Sequence, residues 1–441
     1  MKSRKTPTNG QQDLFKSRLD NLIDHQHELV ITANKIDWDS FDRRFGGTFC
    51  ETNGRPALAT RLMVGLQYLK YLYNESDENV VRRYLENPYW QYFCGNEFFE
   101  HKLPCHPTSL IKWRQRIGSG GAEQMLKETV EMAKREKFLS TEAASEVYID
   151  TTVQPKAITY PTDGALTNTA RRMLVRLAEN EGLGLKQTYR HIGKKILFSH
   201  IRAKHSKDWV TARKKLRKLR TFLGRVIRDI ERKSKTLSDQ MRRGIGFAKK
   251  ILKQRPGSKN KIYSVHAPEV NCIAKGKAHK KYEFGSKVSI ATTVKDNWVV
   301  GLCSFSENPY DGHTIPDVLN QIKRVAGDFP AAAYCDRGYK GSEGHIYSTH
   351  VYLQNTKRKI SAKIKQKLKS RSAIEPVIGH LKADHRLDRN YLHGESGDRI
   401  NSVMAGCAFN LRKLMAAFLF WIYSLVRLAT SPTRSPIMAL K

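Results

Sequence analysis

The sequence predicts an α/β protein whose core is a mixed β-sheet with helices on its faces. Residues 55–140 show the apolar periodicity of helices. Segments rich in β-branched and aromatic residues predict a strand at 147–153 and several more from residue 261 onward. A helical block at 168–255 separates the first strand from the later ones. This order favours a helix-covered sheet that the block interrupts after its first strand.

Helices are predicted for most of the first third of the chain. Residues 1–50 predict a polar N-terminal arm, and residues 51–145 predict a helical domain. Pro56 suits the first turn of a helix that reaches Leu72, because a helix leaves the N–H of that position unpaired anyway. The apolar pattern predicts further helices at 80–92, 110–117 and 123–138. These helices indicate a compact domain.

The block at 168–255 is both helical and strongly basic. Leu219, Leu223 and Val226 belong to an apolar series that recurs at steps of three and four residues, with Lys and Arg between its members. This pattern is typical of an amphipathic helix with a cationic outer face. A Pro-Gly turn signal closes the block, so the predicted insertion spans residues 168–260.

Most of the predicted sheet follows the insertion. Residues 146–167 and 261–426 are expected to form the sheet domain, and residues 427–441 a tail. Asn297 lies in a predicted turn between two strands. The later strands are predicted at 261–265, 287–294, 298–305, 331–335 and 350–354, and helices at 315–325 and 400–425.

The charge balance indicates a polyanionic partner. The 441 residues include 78 Lys and Arg against 42 Asp and Glu, a formal net charge of +36. An excess this large is most often matched by nucleic acid. Lys112, Trp113 and Arg114 add a basic and aromatic surface to the helical domain. That domain is interpreted either as a surface for DNA-end recognition or dimerisation, or as a purely structural cap.

Secretion and membrane insertion are not expected. Residues 1–20 lack the apolar core of a signal peptide. The most apolar stretch, residues 414–425, has about half the length needed to span a bilayer. The seven cysteines are scattered and form no Cys-x-x-Cys pair. We therefore expect a cytoplasmic protein with no membrane partner.

Three acids stand in contexts that suit metal binding. Asp150 and Asp336 each end a strand-like segment, and the ends of adjacent strands converge at one edge of a sheet. Glu375 lies four residues after Arg371 and seven before Lys382, so a helix would bring all three to roughly one face. Carboxylates are typical ligands of Mg²⁺. Two such ions about 4 Å apart can activate a water and stabilise the leaving oxygen of a phosphodiester.

Each acid also has a structural interpretation. Asp150 could simply end a strand, and Asp336 could be a turn aspartate. Glu375 fits a capping box with the serine three residues before it. Pro376 is comfortable only in a first helical turn, so a helix is expected to begin near 372–376 with Arg371 just outside it. Two further acids rank next as candidates, Asp163 and Asp311.

The motifs around these acids resemble those of insertion-sequence transposases, and more narrowly the bacterial group typified by insertion sequence five. Residues 148–154, followed by 160–163, resemble the first acidic motif of that family. The spacing Arg371-x3-Glu375-x6-Lys382 matches the third. The wider superfamily has a Tyr three residues before this Arg, where Leu368 stands here. The remaining similar segments are 55–58, 87–95, 265–270, 275–279, 282–285, 308–314 and 336–341.

The resemblance implies an RNase H-like core in which Asp150, Asp336 and Glu375 bind two Mg²⁺ ions, for which Mn²⁺ can substitute. It implies cleavage at the ends of a mobile element and attack of the freed 3′-hydroxyl on target DNA. The implied partner is double-stranded DNA at the bacterial nucleoid, bound by a dimer or a larger assembly. The residues implied in DNA contacts are Arg371, Lys382, Tyr339, Lys340 and His313, of which His313 could equally be an ordinary loop histidine.

Two alternatives stay open beside this interpretation. The first is a nuclease of similar fold that cuts DNA without joining it. The second is a DNA-binding protein that has lost catalysis, although all three acids stand in the expected contexts.

Overall fold

A computed structural model describes residues 16–48, 56–233, 237–255, 257–274, 281–354 and 360–430. The chain divides into two compact units. The core unit comprises Met1–Gln154, Lys287–Phe305 and Pro309–Lys441, and the inserted unit comprises Pro155–Ser286 and Ser306–Asn308. Arg55, the segment 275–279 and the greater part of the predicted tail lie outside the described residues, as does the first part of the predicted arm.

The N-terminal helices belong to the core unit together with the sheet. They are α1 (Glu28–Lys35), α2 (Trp38–Phe45), α3 (Thr60–Leu72), α4 (Asp77–Glu86), α5 (Pro88–Phe93) and α6 (Pro107–Arg135). Asp37, Ser76 and Asn87 each accept a backbone N–H at the start of α2, α4 and α5, which satisfies donors that a helix leaves unpaired.

Two details of this region differ from the sequence prediction. Pro56 lies outside α3, because the chain is still extended at Ala59 and the helix begins at Thr60. The helices predicted at 110–117 and 123–138 form the single element α6, which breaks at Gly118. The φ of Gly118 is 63°, a left-handed value that glycine adopts without strain.

The inserted unit is a helical bundle with its own apolar core. After β1 (Glu146–Pro155) it contains α7 (Asp163–Asn180), α8 (Arg190–His205), α9 (Trp209–Lys233), α10 (Asp239–Lys253) and β2 (Asn271–Ile273). Buried Leu223, Val226 and Ile230 of α9 pack with Leu174 and Ile245 of the neighbouring helices. The periodicity in the basic block therefore identifies the buried face of α9.

The strand predicted at 261–265 is wrong. This segment is irregular, and the strand of this region is β2 instead. The Gln254 side chain forms hydrogen bonds with both backbone groups of Ile262. Its amide nitrogen donates to the carbonyl, and its oxygen accepts from the N–H. These groups are thereby satisfied without a neighbouring strand.

The later elements complete the sheet and cover it. They are β3 (Glu283–Thr293), β4 (Val299–Phe305), α11 (Ile315–Ala326), β5 (Ala332–Cys335), β6 (Gly344–Ile346), β7 (Thr349–Leu353), α12 (Ala362–Lys369), α13 (Ile374–Ala383) and α14 (Gly394–Thr430). Short 3₁₀ helices lie at Leu19–Asn21, Gly46–Thr48, Ala143–Ser145, Asp311–Thr314, Arg337–Tyr339 and Ser370–Ala373.

The sheet is mixed, as the sequence predicts. Its order in the core unit is β4-β3-β1-β5-β7-β6. The pairs β1–β5 and β5–β7 are parallel, whereas β3–β4 and β6–β7 are antiparallel. Three neighbouring strands before the helix α11 and two parallel strands after it give the arrangement of an RNase H-like fold, so the predicted fold class is confirmed.

The last helix, α14, packs on this sheet. A side chain added at Gly406 would meet Leu302 of β4 and Leu126 of α6, which shows how closely the helix approaches both. Residues 394–421 are long and apolar enough to cross a membrane, but 61% of their most apolar window is buried inside the protein. Burial of this kind is typical of the core helix of a globular domain.

Candidate active site

Asp150 and Asp336 lie side by side where the pairing of two parallel strands ends. Strand β1 pairs with β5 in a register that joins Glu146 to Ala332 and Tyr148 to Tyr334. Continued two residues beyond this last pair, the same offset places Asp150 opposite Asp336, whose backbone is still extended. Neighbouring strands are about 4.8 Å apart and side chains two residues apart share a face, so both carboxylates leave the same face of the sheet.

One detail of the sequence prediction changes here. Asp150 does not end its strand, because β1 continues to Pro155. The neighbouring strand β5 stops at Cys335, which opens the sheet edge beside Asp150. Asp336 also accepts the N–H of Gly338 at 2.8 Å, so it has the predicted turn contact as well as its place beside Asp150.

Arg371 connects Glu375, the third acid, to Asp150 of this pair. The Arg371 guanidinium lies 3.2 Å from Asp150 Oδ2 and 4.0 Å from Glu375 Oε1. Arg371 stands in the 3₁₀ turn before α13, outside the helix as predicted. No side chain caps α13, so the capping-box interpretation of Glu375 is not supported.

The carboxylate oxygens of Asp150, Asp336 and Glu375 suit a hard divalent cation, but Asp150 and Glu375 both lie against the Arg371 guanidinium in this arrangement. Among the described residues, no three His, Cys, Asp or Glu side chains are grouped so as to hold a metal ion. The Arg371 guanidinium occupies the space between Asp150 and Glu375. The Glu375 side chain is 65% exposed, so its carboxylate can rotate without disturbing the core.

A fourth carboxylate, Asp311, lies beside the pair of strand acids. Its Oδ1 accepts from Lys287 Nζ at 2.8 Å and from Thr151 Oγ1 at 3.1 Å. A Cβ at Gly338 would lie 2.9 Å from Asp336 Oδ1 and 3.3 Å from Asp311 Oδ2. The two carboxylate oxygens are therefore no more than about 6 Å apart.

The sequence alone ranks Asp311 only as a secondary candidate and gives no role to Lys287 and Thr151. One signal is present: Lys287 is a cation in a strand of buried residues, and its exposed fraction is only 8%. A buried ammonium group requires an anionic partner. The linear sequence does not tell which acid supplies it.

The predicted DNA-contact residues fall into three groups. Lys340 and His313 are exposed, and their loops meet, because the Tyr310 hydroxyl donates to the Lys340 carbonyl and its ring packs on His313. Lys382 and Arg371 are partly buried. Tyr339 is fully buried, so its predicted place on a DNA-facing surface needs correction: its ring fills the core beneath the site.

Asp163, the other secondary candidate, has a local role. It is the first residue of α7 in the inserted unit, and its carbonyl accepts from the Thr167 hydroxyl. An acid in a first helical turn interacts favourably with the helix dipole. This position explains Asp163 without catalysis.

A second cluster of charged side chains lies among the N-terminal helices of the core unit. Asp77 accepts two hydrogen bonds from Arg114, at 2.8 and 2.5 Å, and one from Lys70 at 2.8 Å. Burial alone would raise the pKa of Asp77, but the hydrogen bonds from Arg114 and the charge of Lys70 outweigh it and lower the pKa to about 2. These three residues line a cavity of about 810 Å³ that none of the predicted acids touches.

The inserted unit presents a cationic surface. Arg213, Lys214, Arg217 and Lys218 are exposed on α9. None of these four forms an ion pair with a described residue. Cations without carboxylate partners are available to an external polyanion.

Comparisons with known proteins agree with this architecture. A family model described as "Transposase domain (DUF772)" matches residues 17–116, and "Transposase DDE domain" matches residues 255–411. The protein "Uncharacterized protein ORF8 in nfe locus" of Rhizobium meliloti is 47% identical over 203 residues, which cover 46% of this chain and 98% of the relative. No solved structure matches the chain.

The fold and the paired acids define an RNase H-like α/β protein with a carboxylate site at the open end of its central strands. With both transposase models matched in order, the chain belongs to the DDE transposases of bacterial insertion sequences. This family acts on DNA and typically uses a divalent metal ion. Asp336 and Glu375 lie inside the DDE match, whereas Asp150 lies between the two matches. The narrower group of insertion sequence five stays a prediction.

Proposed function

We propose that this protein cleaves DNA at the ends of a mobile element and transfers the freed 3′-hydroxyl ends to target DNA, with Asp150, Asp336 and Glu375 as its catalytic carboxylates. The observation that supports this proposal is the β1–β5 register, whose last pair is Tyr148 with Tyr334. Continued by two residues, the same offset brings Asp150 opposite Asp336. Residues 186 positions apart in the chain meet there, and both leave the same face of the sheet.

Asp150, Asp336 and Glu375 are the residues that would hold Mg²⁺, with Mn²⁺ as a substitute, because both cations prefer hard oxygen donors. Two bound ions would supply activation of a water and stabilisation of the leaving oxygen. The protein supplies the fixed carboxylates of Asp150 and Asp336. Glu375 supplies a third carboxylate on an exposed, rotatable side chain. Arg371 can exchange its contact with Asp150 for a DNA phosphate, since a guanidinium binds either anion in the same way.

DNA contacts are proposed for two surfaces, one in the core unit and one in the inserted unit. In the core unit, Lys340, His313 and Lys382 accompany the acids in the sequence motifs. In the inserted unit, the exposed cations of α9 offer several phosphate contacts. Two element ends must be brought together, so we propose a dimer or a larger assembly on DNA.

The chemical proposal is tested with oligonucleotides that carry a candidate element end. Asp336→Asn should abolish cleavage while binding of the end persists, because the amide keeps the size of the side chain and loses its charge. Asp317→Asn is the matched control, an exposed aspartate on α11 of the same unit, and should cleave as the unsubstituted protein does.

Pre-cut ends with a free 3′-hydroxyl separate the alternatives. Joined products with a plasmid target support a transposase. Cleavage without joining would identify a nuclease. Binding without either reaction, in a protein with all three acids intact, would identify a DNA-binding protein that has lost catalysis.

The DNA surface of the inserted unit is tested by salt dependence. Replacing Arg213, Lys214, Arg217 and Lys218 with Gln should reduce the slope of log affinity against log salt by about 0.9 for each phosphate that the protein no longer neutralises. The control replaces four exposed cations of the same unit that are paired with carboxylates: Arg232, Lys233, Arg242 and Lys249. Equal slopes in the two variants would contradict the assignment of this surface to DNA.

A further inference from the structure

A continuous chain of polar contacts runs from the interior of the sheet to the first catalytic acid. Lys287 lies in β3 and is almost completely buried. Its ammonium group donates to the Pro309 carbonyl at 2.6 Å and to Asp311 at 2.8 Å. Burial of a charge is costly unless it is paired and hydrogen-bonded, so these contacts fix the position of Asp311.

Asp311 in turn is hydrogen-bonded to strand β1. Its Oδ1 also accepts from the Thr151 hydroxyl at 3.1 Å, and Thr151 is 5% exposed. The N–H of Thr151 donates to Asp150 Oδ1 at 2.7 Å. Adjacent side chains of a strand point to opposite faces, so Thr151 holds the strand from the face opposite to the Asp150 carboxylate.

The second carboxylate oxygen of Asp311, Oδ2, lies near the loop that contains Asp336. Asp311 Oδ2 and Asp336 Oδ1 both lie against Gly338, which has no side chain to separate them. Asp311 therefore accepts from the strand of Asp150 with one oxygen, and its other oxygen lies close to the turn of Asp336. Lys287 balances its charge, so the contact adds no net negative charge beside the catalytic carboxylates.

We propose that Asp311, anchored by Lys287, is a positioning residue that keeps Asp150 and Asp336 in the register needed for catalysis, through the hydroxyl of Thr151 and the close approach at Gly338. The proposal rests on the proposed function, because it assigns a role relative to its catalytic acids. Groups that orient metal-binding carboxylates typically contribute about 10–100-fold to metal affinity or activity.

The decisive variants are Thr151→Val and Thr151→Ser. Valine keeps the shape of threonine and replaces the hydroxyl with a methyl group, whereas serine keeps the hydroxyl and lacks only the methyl group. At saturating DNA, Thr151→Val should lower the single-turnover cleavage rate by about 10-fold or more, and Thr151→Ser should retain most of the rate. Affinity for the element end should stay the same in both, since Thr151 is buried.

A second measurement does not depend on turnover. Binding of Mn²⁺, followed by calorimetry on the full-length protein, should weaken by about 10-fold in Thr151→Val and stay close to the unsubstituted value in Thr151→Ser. Asp311→Asn should weaken Mn²⁺ binding at least as much, because it also removes the anion that Lys287 requires. Thermal unfolding of each variant shows whether the fold is intact.

The outcomes separate the two proposals. If Asp336→Asn still cleaves DNA, the proposed function fails whatever Thr151 does. If Asp336→Asn is inactive but Thr151→Val cleaves and binds Mn²⁺ normally, only the positioning role is overturned. Equal loss in Thr151→Val and Thr151→Ser would also overturn it, since the hydroxyl would then not be the group responsible.

Discussion

Two groups of ion-paired carboxylates lie in the core unit, one among the N-terminal helices and one at the edge of the sheet. Both consist of aspartates paired with Lys and Arg, but they differ in how far their side chains are exposed. Among the N-terminal helices, Arg114 and Lys70 together occupy both oxygens of Asp77. At the sheet edge, Asp150 and Asp311 each pair with a cation, Arg371 and Lys287 respectively. Both also accept from Thr151, Asp150 from its N–H and Asp311 from its hydroxyl.

The surroundings of the two groups explain the difference. The side chains of Lys70 and Arg114 are each 5% exposed, so the anion and its cations are enclosed together. Glu375 at the sheet edge is largely exposed, and Asp150 lies where its neighbouring strand ends. A saturated, enclosed ion pair stabilises a particular packing, whereas carboxylates at an open edge can exchange their partners. Ion pairing alone therefore does not identify a functional site. What distinguishes the sheet-edge group is its exposed third carboxylate, Glu375.

Of the variants that separate these two groups, Asp150→Asn should have the largest effect, which is on cleavage. We expect cleavage to fall by about 10³-fold or more, because a divalent cation held by Asp150, as proposed, would supply several kcal/mol of transition-state stabilisation. Stability should change less than in Asp77→Asn, since Arg371 keeps a second carboxylate, Glu375, at 4.0 Å. Single-turnover cleavage and chemical denaturation measure the two effects. A large loss of stability would place Asp150 in the same class as Asp77.

The converse variant, Asp77→Asn, should act on stability. It leaves Lys70 and Arg114 buried without their anion, and removal of one partner from a buried pair costs about 3–5 kcal/mol. The free energy of unfolding from denaturant titration provides the measurement. The cleavage rate per folded molecule should remain close to that of the unsubstituted protein, and a selective loss of cleavage would contradict the structural role of this cluster.

The contribution of Asp77 to the free energy of unfolding should depend on pH in the acid range. The pKa of Asp77 is lowered from 3.8 to about 2 in the folded protein, so folding favours its charged form. This stabilisation is full above about pH 4 and is lost as the pH falls toward 2, an effect of about 2 kcal/mol. The stability difference between the unsubstituted protein and Asp77→Asn should therefore shrink across this window. A constant difference would show that Asp77 has an ordinary pKa.

The smallest expected effect comes from Gly338→Ala. The added methyl group would lie 2.9 Å from Asp336 Oδ1 and 3.3 Å from Asp311 Oδ2, so these carboxylates must shift. Both are side-chain atoms that can move, and the fold should therefore survive. We expect a loss of cleavage of about 10-fold, or roughly 1.4 kcal/mol. An unchanged rate would show that the spacing of the two carboxylates is not critical.

Local sequence patterns are sufficient for most elements but not for their exact roles. The apolar steps in the basic block identify the buried face of α9, because a helix repeats within its own segment. The strand predicted at 261–265 is wrong because Gln254, a residue outside the segment, satisfies the backbone of Ile262. The surface position predicted for Tyr339 is wrong because an aromatic residue in a loop motif carries no information about which side of the loop is covered.

The amino-acid sequence alone is enough to predict the fold class and family of this protein, from its excess of cations, its helix periodicity, and acids in contexts that resemble those of a DDE transposase. The folded chain is needed to show that Asp150 stands opposite Asp336 and that Lys287 finds its anion in Asp311. The two kinds of information differ because a helix face is set by neighbours three and four residues away. Strand register and buried charge pairs depend instead on residues that meet only when the whole sheet has formed.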